Sequence, residues 1–215
     1  MNFDSSIYDG FGVTQEDVDA YVYLDIGLYG VDITRISSYL LVQLASAWKH
    51  RTLNTYSITD VIQSLEGVRQ RARPPKAKPF KGVALSGLWK VHFVNPRFFV
   101  RNVYNEWGMF HENTQKFVAL CARVAEAERQ EPLPLGWQGQ LAHEYVIGGY
   151  ENRARKGKLT GEWLIFGIHE GKNIYLTLCQ HSSGPEEDEE IQQALRGLCG
   201  SEFPELFSAI AQQGA

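Results

Sequence analysis

The segment Gly161–His181 constrains the fold most, because its residues alternate with a period of two on both sides of a Gly-Lys centre. Such alternation is typical of two half-buried strands, and a glycine at the first central position of the turn favours a type II′ turn. The segment therefore predicts an antiparallel hairpin of strands Glu162–His169 and Ile174–His181, joined through residues 170–173.

The predicted register divides the hairpin into an apolar face and a mixed face. The apolar face consists of Trp163, Ile165, Ile174, Leu176 and Leu178, with His169 at its turn end. The mixed face carries Glu162, Tyr175, Thr177 and His181 among Leu164, Phe166, Ile168 and Cys179. Glu162 is expected to lie directly opposite His181, so that the hairpin places a carboxylate beside an imidazole.

The composition is that of an ordinary globular protein. Of the 215 residues, 44% are hydrophobic and 12% aromatic, which is enough to bury a substantial core. The formal net charge of −4 argues against a uniformly basic nucleic-acid binder but leaves room for a local basic patch. Three widely spaced cysteines match neither a disulfide framework nor a zinc motif, and no apolar run reaches the roughly 20 residues of a membrane span. We expect a soluble, cytoplasmic protein without a membrane partner, and its oligomeric state stays open.

Helical and strand patterns predict an α+β fold, with an N-terminal helical unit and a small antiparallel sheet covered by helices. Residues 1–68 are expected to form the helical unit, although the structure of residues 20–31 stays open. Residues 69–82 are basic, rich in proline and free of acids, so we expect an extended linker. Residues 83–215 are expected to form the α+β domain, which includes a strand at Leu88–Val94 and the hairpin.

Histidine, lysine and carboxylate side chains on these strands suggest acid/base chemistry. Lys90 and His92 are two residues apart on one predicted strand, so both project to the same side. Glu162 could orient His181 and raise the pKa of its imidazole. If the two strands are neighbours, His92 and His181 could serve as acid and base in phosphodiester cleavage, while Lys90 stabilises the developing negative charge.

Two further side chains complete the candidate catalytic set. Tyr175 lies on the predicted mixed face and could donate a hydrogen bond to a substrate, and Lys172 lies in the predicted turn and could support phosphate charge. The alternative interpretation of the Glu162–His181 pair is an exposed cross-strand ion pair, which contributes only ~0.2–1 kcal/mol. The candidate catalytic residues are His92, His181, Glu162, Lys90, Tyr175 and Lys172.

Two basic clusters could contact the phosphates of a nucleic acid. The first lies in the predicted linker and consists of Arg69, Arg71, Arg73, Lys76 and Lys78. The second directly precedes the hairpin and consists of Arg153, Arg155 and Lys156. The alternative interpretation of the first cluster is a solvated connector between two packed units. The sequence contains no complete H-E-x-x-H motif, no P-loop and no G-x-G-x-x-G motif after a strand, so it implies neither a metal nor a cofactor.

Two stretches, LSGLW and GEWLIFGIHEGKNIYLTL, resemble segments of uncharacterised bacterial proteins, and no activity carries over from them. In layout alone, with helices leading into a small sheet that carries scattered His, Lys and Tyr, the chain resembles the barnase-like and RelE-like ribonuclease toxins. The leading expectation is a cytoplasmic, metal-independent RNA-processing or toxin-type nuclease. Two alternatives stay open: a non-enzymatic protein-interaction module such as an inhibitor, an antitoxin or a phage-related regulator, and a nucleic-acid-binding protein that does not cleave.

Overall fold

Helices and a small antiparallel sheet make up the structure, a computed structural model, so the predicted α+β class is confirmed. It describes residues 5–70, 74–93, 98–108, 114–156, 161–180, 182 and 184–213. The chain divides into two compact units: unit 1 comprises Met1–Asn95 and Gly161–Ala215, and unit 2 comprises Pro96–Thr160.

The elements are numbered in chain order. The helices are α1 (Ser5–Phe11), α2 (Gln15–Leu24), α3 (Ser38–Lys49), α4 (Tyr56–Leu65), α5 (Phe99–Trp107), α6 (Gln115–Gln130), α7 (Gly136–His143), α8 (Gly149–Arg155), α9 (Pro185–Cys199) and α10 (Pro204–Gln213). The strands are β1 (Lys78–Pro79), β2 (Leu88–His92), β3 (Trp163–His169) and β4 (Lys172–Cys179). Within the described ranges, no helix has both the length and the apolar character needed to cross a membrane.

Local sequence signals account for several helix ends. Thr14 begins α2 through a capping box: its hydroxyl accepts from the backbone N–H of Asp17 at 3.3 Å, and the Asp17 carboxylate accepts from the Thr14 N–H at 2.8 Å. Gly67 follows α4 and Gly108 follows α5, and both have positive φ, which glycine adopts without a Cβ clash. These ends are therefore fixed by short-range chemistry.

The sheet of unit 1 has the order β1-β2-β3-β4, and each neighbouring pair is antiparallel. One face, called face A, packs on α2, α3 and α4 through Val91, Leu164, Phe166 and Tyr175. The opposite face, called face B, packs on α9 and α10 through Leu88, Trp163, Ile165, Ile174 and Leu176. The sheet is thus a central layer between two layers of helices.

The free edge of β4 is occupied by the chain that leads into α3. The backbone N–H of Ser37 donates to the carbonyl of Tyr175 at 2.8 Å, and the Ser37 hydroxyl donates to the carbonyl of Leu176 at 2.5 Å. The side-chain amide of Gln43 accepts from the N–H of Leu178 at 2.8 Å and donates to its carbonyl at 3.1 Å. An uncovered strand edge is a template for unwanted pairing, and these contacts remove it here.

The hairpin forms, but its turn differs from the predicted one. Glu170 and Gly171 are the two turn residues, with φ of 49° and 74°, the positive values that a type I′ turn requires at both central positions. His169 consequently pairs with Lys172. The predicted type II′ turn over Gly171 and Lys172 is therefore wrong, because the chain reverses one residue earlier.

A β-bulge in β4 shifts the register a second time. Phe166 pairs with Tyr175, whereas its neighbour Ile165 pairs with Thr177, so Leu176 is the extra residue of the bulge. Bulges insert one residue and exchange the faces of everything that follows. The predicted register, which has no bulge, therefore also assigns residues of β4 to the wrong faces beyond this point.

The bulge changes which residues meet at the far end of the hairpin. Trp163 pairs with Cys179, and continuing this register by one residue places Glu162 opposite Gln180. The predicted alignment of Glu162 with His181 is thus displaced by one position. His181 itself lies outside the described residues.

Two residues of β4 change their predicted surroundings as a result. Leu178 was expected on the apolar face with Leu176 but packs with the face A cluster, because the bulge precedes it. Tyr175 was expected on a mixed face but is fully buried in that same cluster. The expected mixed face does not form because helices cover both sides of the sheet.

The basic segment predicted as a linker lies inside unit 1. Lys78 and Pro79 form β1 and pair with Lys90 and Trp89 of β2. Phe80 follows them and is buried in the face B cluster. A strand pairing and a buried aromatic ring therefore anchor the end of this segment to the sheet.

Unit 2 packs α5, α6, α7 and α8 around a small core that contains Val103, Trp107, Leu120 and Val124. A π-helical turn at Glu144–Gly148 joins α7 to α8, so helical structure runs from Gly136 to Arg155 without a break. The indole N–H of Trp107 donates to the carbonyl of Tyr145 in the π turn at 2.8 Å. The π turn is thus tied to α5.

Gly149→Ala should destabilise unit 2, whereas Gly148→Ala should not. A Cβ at Gly149 would lie 2.5 Å from Nε1 of Trp107, while the nearest atom to a Cβ at Gly148 is 3.8 Å away. Both glycines have helical φ values, so both gain the ~1 kcal/mol helix preference of alanine. We expect Gly149→Ala to lower the free energy of unfolding by about 1–3 kcal/mol in urea titrations. Equal stability of the two variants would contradict the close approach of α5 to α8.

Candidate functional site at the end of the sheet

The candidate site lies at the end of the sheet where β2 and β4 finish and β3 begins. His92, the last residue of β2, and Cys179, the last residue of β4, pair with Trp163 from its two sides. Since neighbouring strands lie about 4.8 Å apart, the ends of β2 and β4 are roughly 10 Å apart. Side chains from all three strands therefore converge here.

Lys90 is held between two aromatic rings on face B. Its Nζ lies 3.6 Å from the ring centroid of Trp163 and 4.3 Å from that of Phe80. The two rings pack edge to face with centroids 5.3 Å apart. The faces of such rings attract cations, so this cage fixes the position of the ammonium group.

The surroundings of Lys90 lower the pKa of its ammonium group. Burial lowers the pKa of Lys90 and the neighbouring charge of Lys78 acts in the same direction, while the carboxylate of Asp188 opposes both. Asp188 belongs to the first turn of α9 and accepts a hydrogen bond from the Ser182 hydroxyl at 2.5 Å. Lys90 is thus a partly desolvated cation with one acidic neighbour.

His92 lies on the same face as Lys90 and is exposed. Its ring stands edge-on to Trp163, with the ring centroids 6.3 Å apart. Lys90 and His92 thus project from the same side of β2, as residues two positions apart on a strand do.

Glu162 lies on the opposite face of the sheet. Successive residues of a strand point to opposite faces, and Trp163 belongs to face B. Glu162 accordingly lines a cleft of about 300 Å³ together with Phe11, Gln43 and Leu178. The residue is only 7% exposed. Glu162 and His92 thus share the end of the sheet but not one face.

Two predicted catalytic residues lie elsewhere. Tyr175 donates a hydrogen bond to Oε1 of Glu66 at 2.7 Å, and burial, followed by this hydrogen bond, raises the pKa of its phenol. Lys172 is exposed and pairs with His169 at the turn. Because β3 runs about 20 Å from Trp163 to His169, Lys172 lies at the far end of the hairpin. The structure does not bring these two residues to the site.

The predicted phosphate-contacting residues of unit 1 fall into different environments. Arg69 forms an ion pair with Asp60 at 3.1 Å, and Lys76 is exposed. Lys78 lies directly opposite Lys90 in the sheet. Like charges that face each other across strands destabilise a sheet, so a bound anion would relieve the repulsion at this edge. Arg71 and Arg73 lie outside the described residues.

The second basic cluster belongs to unit 2. The Nε of Arg153 donates to Oδ1 of Asn102 at 3.3 Å, and Nζ of Lys156 donates to Oε1 of Glu106 at 3.2 Å. Arg155 is exposed. Of these three residues, Arg155 lines a pocket in unit 2.

Thiolate chemistry has no support at Cys179. Burial raises the pKa of the Cys179 thiol to about 12, so almost none of the nucleophilic thiolate exists at neutral pH. In the part of the chain that the structure describes, no three His, Cys, Asp or Glu side chains are arranged to hold a metal ion.

Sequence reasoning missed the aromatic cage and its acidic neighbour. Phe80 comes from the segment predicted as a linker, and Asp188 comes from α9, far from Lys90 in sequence. The available signal was the aromatic character of Trp163 and Phe80, but strand order is needed to place them beside Lys90. Comparison of the chain with protein-family models, with curated proteins and with solved structures gives no match.

Proposed function

We propose that this chain is a metal-independent ribonuclease of the RNA-processing or toxin type, with its catalytic centre at the His92 end of the sheet. One observation carries the proposal: an exposed imidazole and a half-buried ammonium, those of His92 and Lys90, lie two residues apart on one face of β2. RNA cleavage needs a group that moves protons and a cation that stabilises phosphate charge.

The proposed reaction is transesterification within the RNA strand. A base removes the proton of a ribose 2′-hydroxyl, and the 2′-oxygen forms a bond to the adjacent phosphorus. The bond from phosphorus to the 5′-oxygen breaks, and an acid protonates that leaving oxygen. The products are a 2′,3′-cyclic phosphate and a 5′-hydroxyl end, and neither water nor a redox partner is consumed.

The roles of the side chains follow from this chemistry. His92 is one of the two proton-transfer groups, and His181, two residues beyond the end of β4, is proposed as the other. Lys90 stabilises the negative charge on phosphorus-bound oxygens, and partial burial strengthens this effect because water screens it less. Lys78, opposite Lys90, adds a second positive charge on the path of the RNA backbone.

The proposal is tested by incubating the pure protein with end-labelled RNA, with and without EDTA. We expect cleavage in both reactions and products that carry 2′,3′-cyclic phosphate. Intact RNA in both reactions would remove the proposal, and cleavage that EDTA abolishes would replace it with a metal-dependent mechanism. Binding that weakens steeply with salt, without cleavage, would favour the third expectation, a nucleic-acid-binding protein.

A second candidate function, a protein-interaction module, is favoured by an exposed apolar segment in unit 1. Tyr23, Ile26 and Tyr29 are 88%, 77% and 83% exposed. The segment is ordered: α2 continues to Leu24, a 3₁₀ turn follows, and the side chain of Gln63 donates to the carbonyl of Tyr29 at 3.2 Å. Apolar side chains that cluster on a surface, rather than occurring singly, are typical of protein-binding sites.

A photo-crosslinking amino acid placed at Tyr29 should capture one defined partner protein in cells that naturally produce this chain. The same amino acid at Val83, which is 87% exposed in another part of unit 1, provides the control. A band present at Tyr29 and absent at Val83 supports the interaction module. Identical patterns at both positions, or none at either, would rule it out.

A further inference from the structure

Unit 2 contains a pocket of about 380 Å³ whose walls come from α5, α6, the π turn and α8. Trp107 and Leu120 form its apolar side, while Lys116, Arg123 and Arg155 contribute three cations. The volume falls in the range of about 300–1,000 Å³ that is typical of small-molecule sites. An apolar wall with several cations is suited to an organic anion.

A buried carboxylate organises one side of the pocket. Glu106, whose side chain is 5% exposed, accepts hydrogen bonds from Lys116, from Asn152 and, at 3.2 Å, from Lys156. The Nζ of Lys116 also lies 5.3 Å from the ring centroid of Trp107. One negative charge therefore holds two ammonium groups in place.

The remaining charges leave this pocket with an excess of positive charge. Arg123 forms an ion pair with Glu144, which also accepts from Gln140 at 3.1 Å. Arg155 forms no hydrogen bond or ion pair with any described residue. Four cations in and beneath the pocket thus face two carboxylates, an excess of two positive charges.

The π turn shapes the wall opposite α6. It spans Glu144–Gly148, and both end residues line the pocket. The rings of Trp107 and Tyr145 stack with centroids 5.9 Å apart, and the indole hydrogen bond to the Tyr145 carbonyl fixes their orientation. Single π turns inside α-helices recur at functional sites. The apolar wall is thus preorganised.

We propose that this pocket binds a small organic phosphate, a molecule with a dianionic phosphate group and an apolar or aromatic body. The two excess positive charges match the dianion, and the planar guanidinium of Arg155 can donate two parallel hydrogen bonds to phosphate oxygens. The body of the ligand would lie against Trp107. Enclosure by four elements favours a small molecule over an extended RNA strand. This proposal does not depend on the ribonuclease function.

The test is calorimetric titration of the full chain with AMP, inorganic phosphate and adenosine. We expect AMP to bind saturably, inorganic phosphate to bind more weakly and adenosine not to bind. Arg155→Ala should weaken AMP binding by roughly 10–100-fold because it removes a charge-assisted contact, and Arg155→Lys should have an intermediate effect. Arg155 is exposed, so these variants should fold, and circular dichroism verifies this.

Matched variants separate this pocket from other phosphate sites. Arg129→Ala removes an exposed arginine of α6 that does not line the pocket, so AMP affinity should stay unchanged. His92→Ala should also leave AMP affinity unchanged, which separates the pocket from the end of the sheet. The proposal is overturned if AMP does not bind, if Arg155→Ala binds AMP like the wild type, or if a short RNA binds through Arg155 while AMP does not.

Discussion

His92→Ala should reduce the rate of RNA cleavage by about 10²–10⁴-fold, the usual contribution of a positioned proton-transfer group. The residue is exposed and its ring lies edge-on to Trp163, so its removal leaves no cavity in the core. Single-turnover rates with labelled RNA measure the effect. Urea unfolding should show that the free energy of unfolding changes by no more than about 0.5 kcal/mol.

His169→Ala is the matched control for His92→Ala. His169 also ends a strand of the same sheet, but it lies at the turn and its Nε2 is 3.5 Å from the carboxylate of Glu205. We expect its cleavage rate to match the wild type. A comparable loss in both variants would mean that the histidines act through stability, and an unchanged rate in His92→Ala would remove this residue from the mechanism.

The helix ends and strands of this fold were predictable from sequence where interactions between residues close in the chain determine them. The capping box at Thr14 and the glycines after α4 and α5 act within a few residues, so the pattern alone identifies these ends. The hairpin strands were recognisable for a similar reason, since alternation reports which residues share a face.

The register of the hairpin was not predictable in the same way. Moving the turn from Glu170-Gly171 to Gly171-Lys172 shifts the partner of each residue by two positions along the other strand. Residues two positions apart on a strand share a face, so both turns put the same side chains on the same face. Period-two alternation cannot distinguish them. The alternation of apolar and polar residues does not reveal the bulge at Leu176 either. The bulge forms where Ser37 and Gln43, which belong to another segment of the chain, bind β4.

The same distinction between short-range and long-range contacts applies to the candidate site. Lys90 and His92 were found because i and i+2 on one strand always share a side. The partners of Lys90 were not found, because Phe80 and Asp188 meet it only through strand order and helix packing. Tyr175 was misjudged as accessible because the sequence does not reveal that helices cover both faces.

Glu66→Ala should lower the free energy of unfolding by about 2–4 kcal/mol, since it leaves buried polar groups without their acceptor. The side chain of Glu66 is 9% exposed and accepts hydrogen bonds from Tyr175 at 2.7 Å, from Asn173 at 3.0 Å and from Arg35. These contacts join α4 to the hairpin and to the chain before α3. Urea titration measures the loss.

The contribution of Glu66 should also depend on pH. Burial alone would raise the pKa of Glu66, but hydrogen bonds from Arg35, Tyr175 and Asn173 outweigh it and hold the pKa below its usual range. The unfolded chain therefore binds the proton more tightly, so the stabilisation is complete above the usual carboxyl pKa and is lost as pH falls through the folded value. The stability difference between wild type and Glu66→Gln should accordingly shrink between pH 7 and about pH 3.

Glu126→Ala gives the comparison that distinguishes a buried network from an ordinary ion pair. Glu126 pairs with Arg129 at 2.5 Å, but the two side chains are 52% and 72% exposed. Exposed pairs contribute about 0–1 kcal/mol, since water screens their charges. If Glu66→Ala were no more destabilising than Glu126→Ala, the Tyr175 hydroxyl would have to find another acceptor inside a fully buried environment. The network of Glu66 would then not be what holds the hairpin to the N-terminal helices.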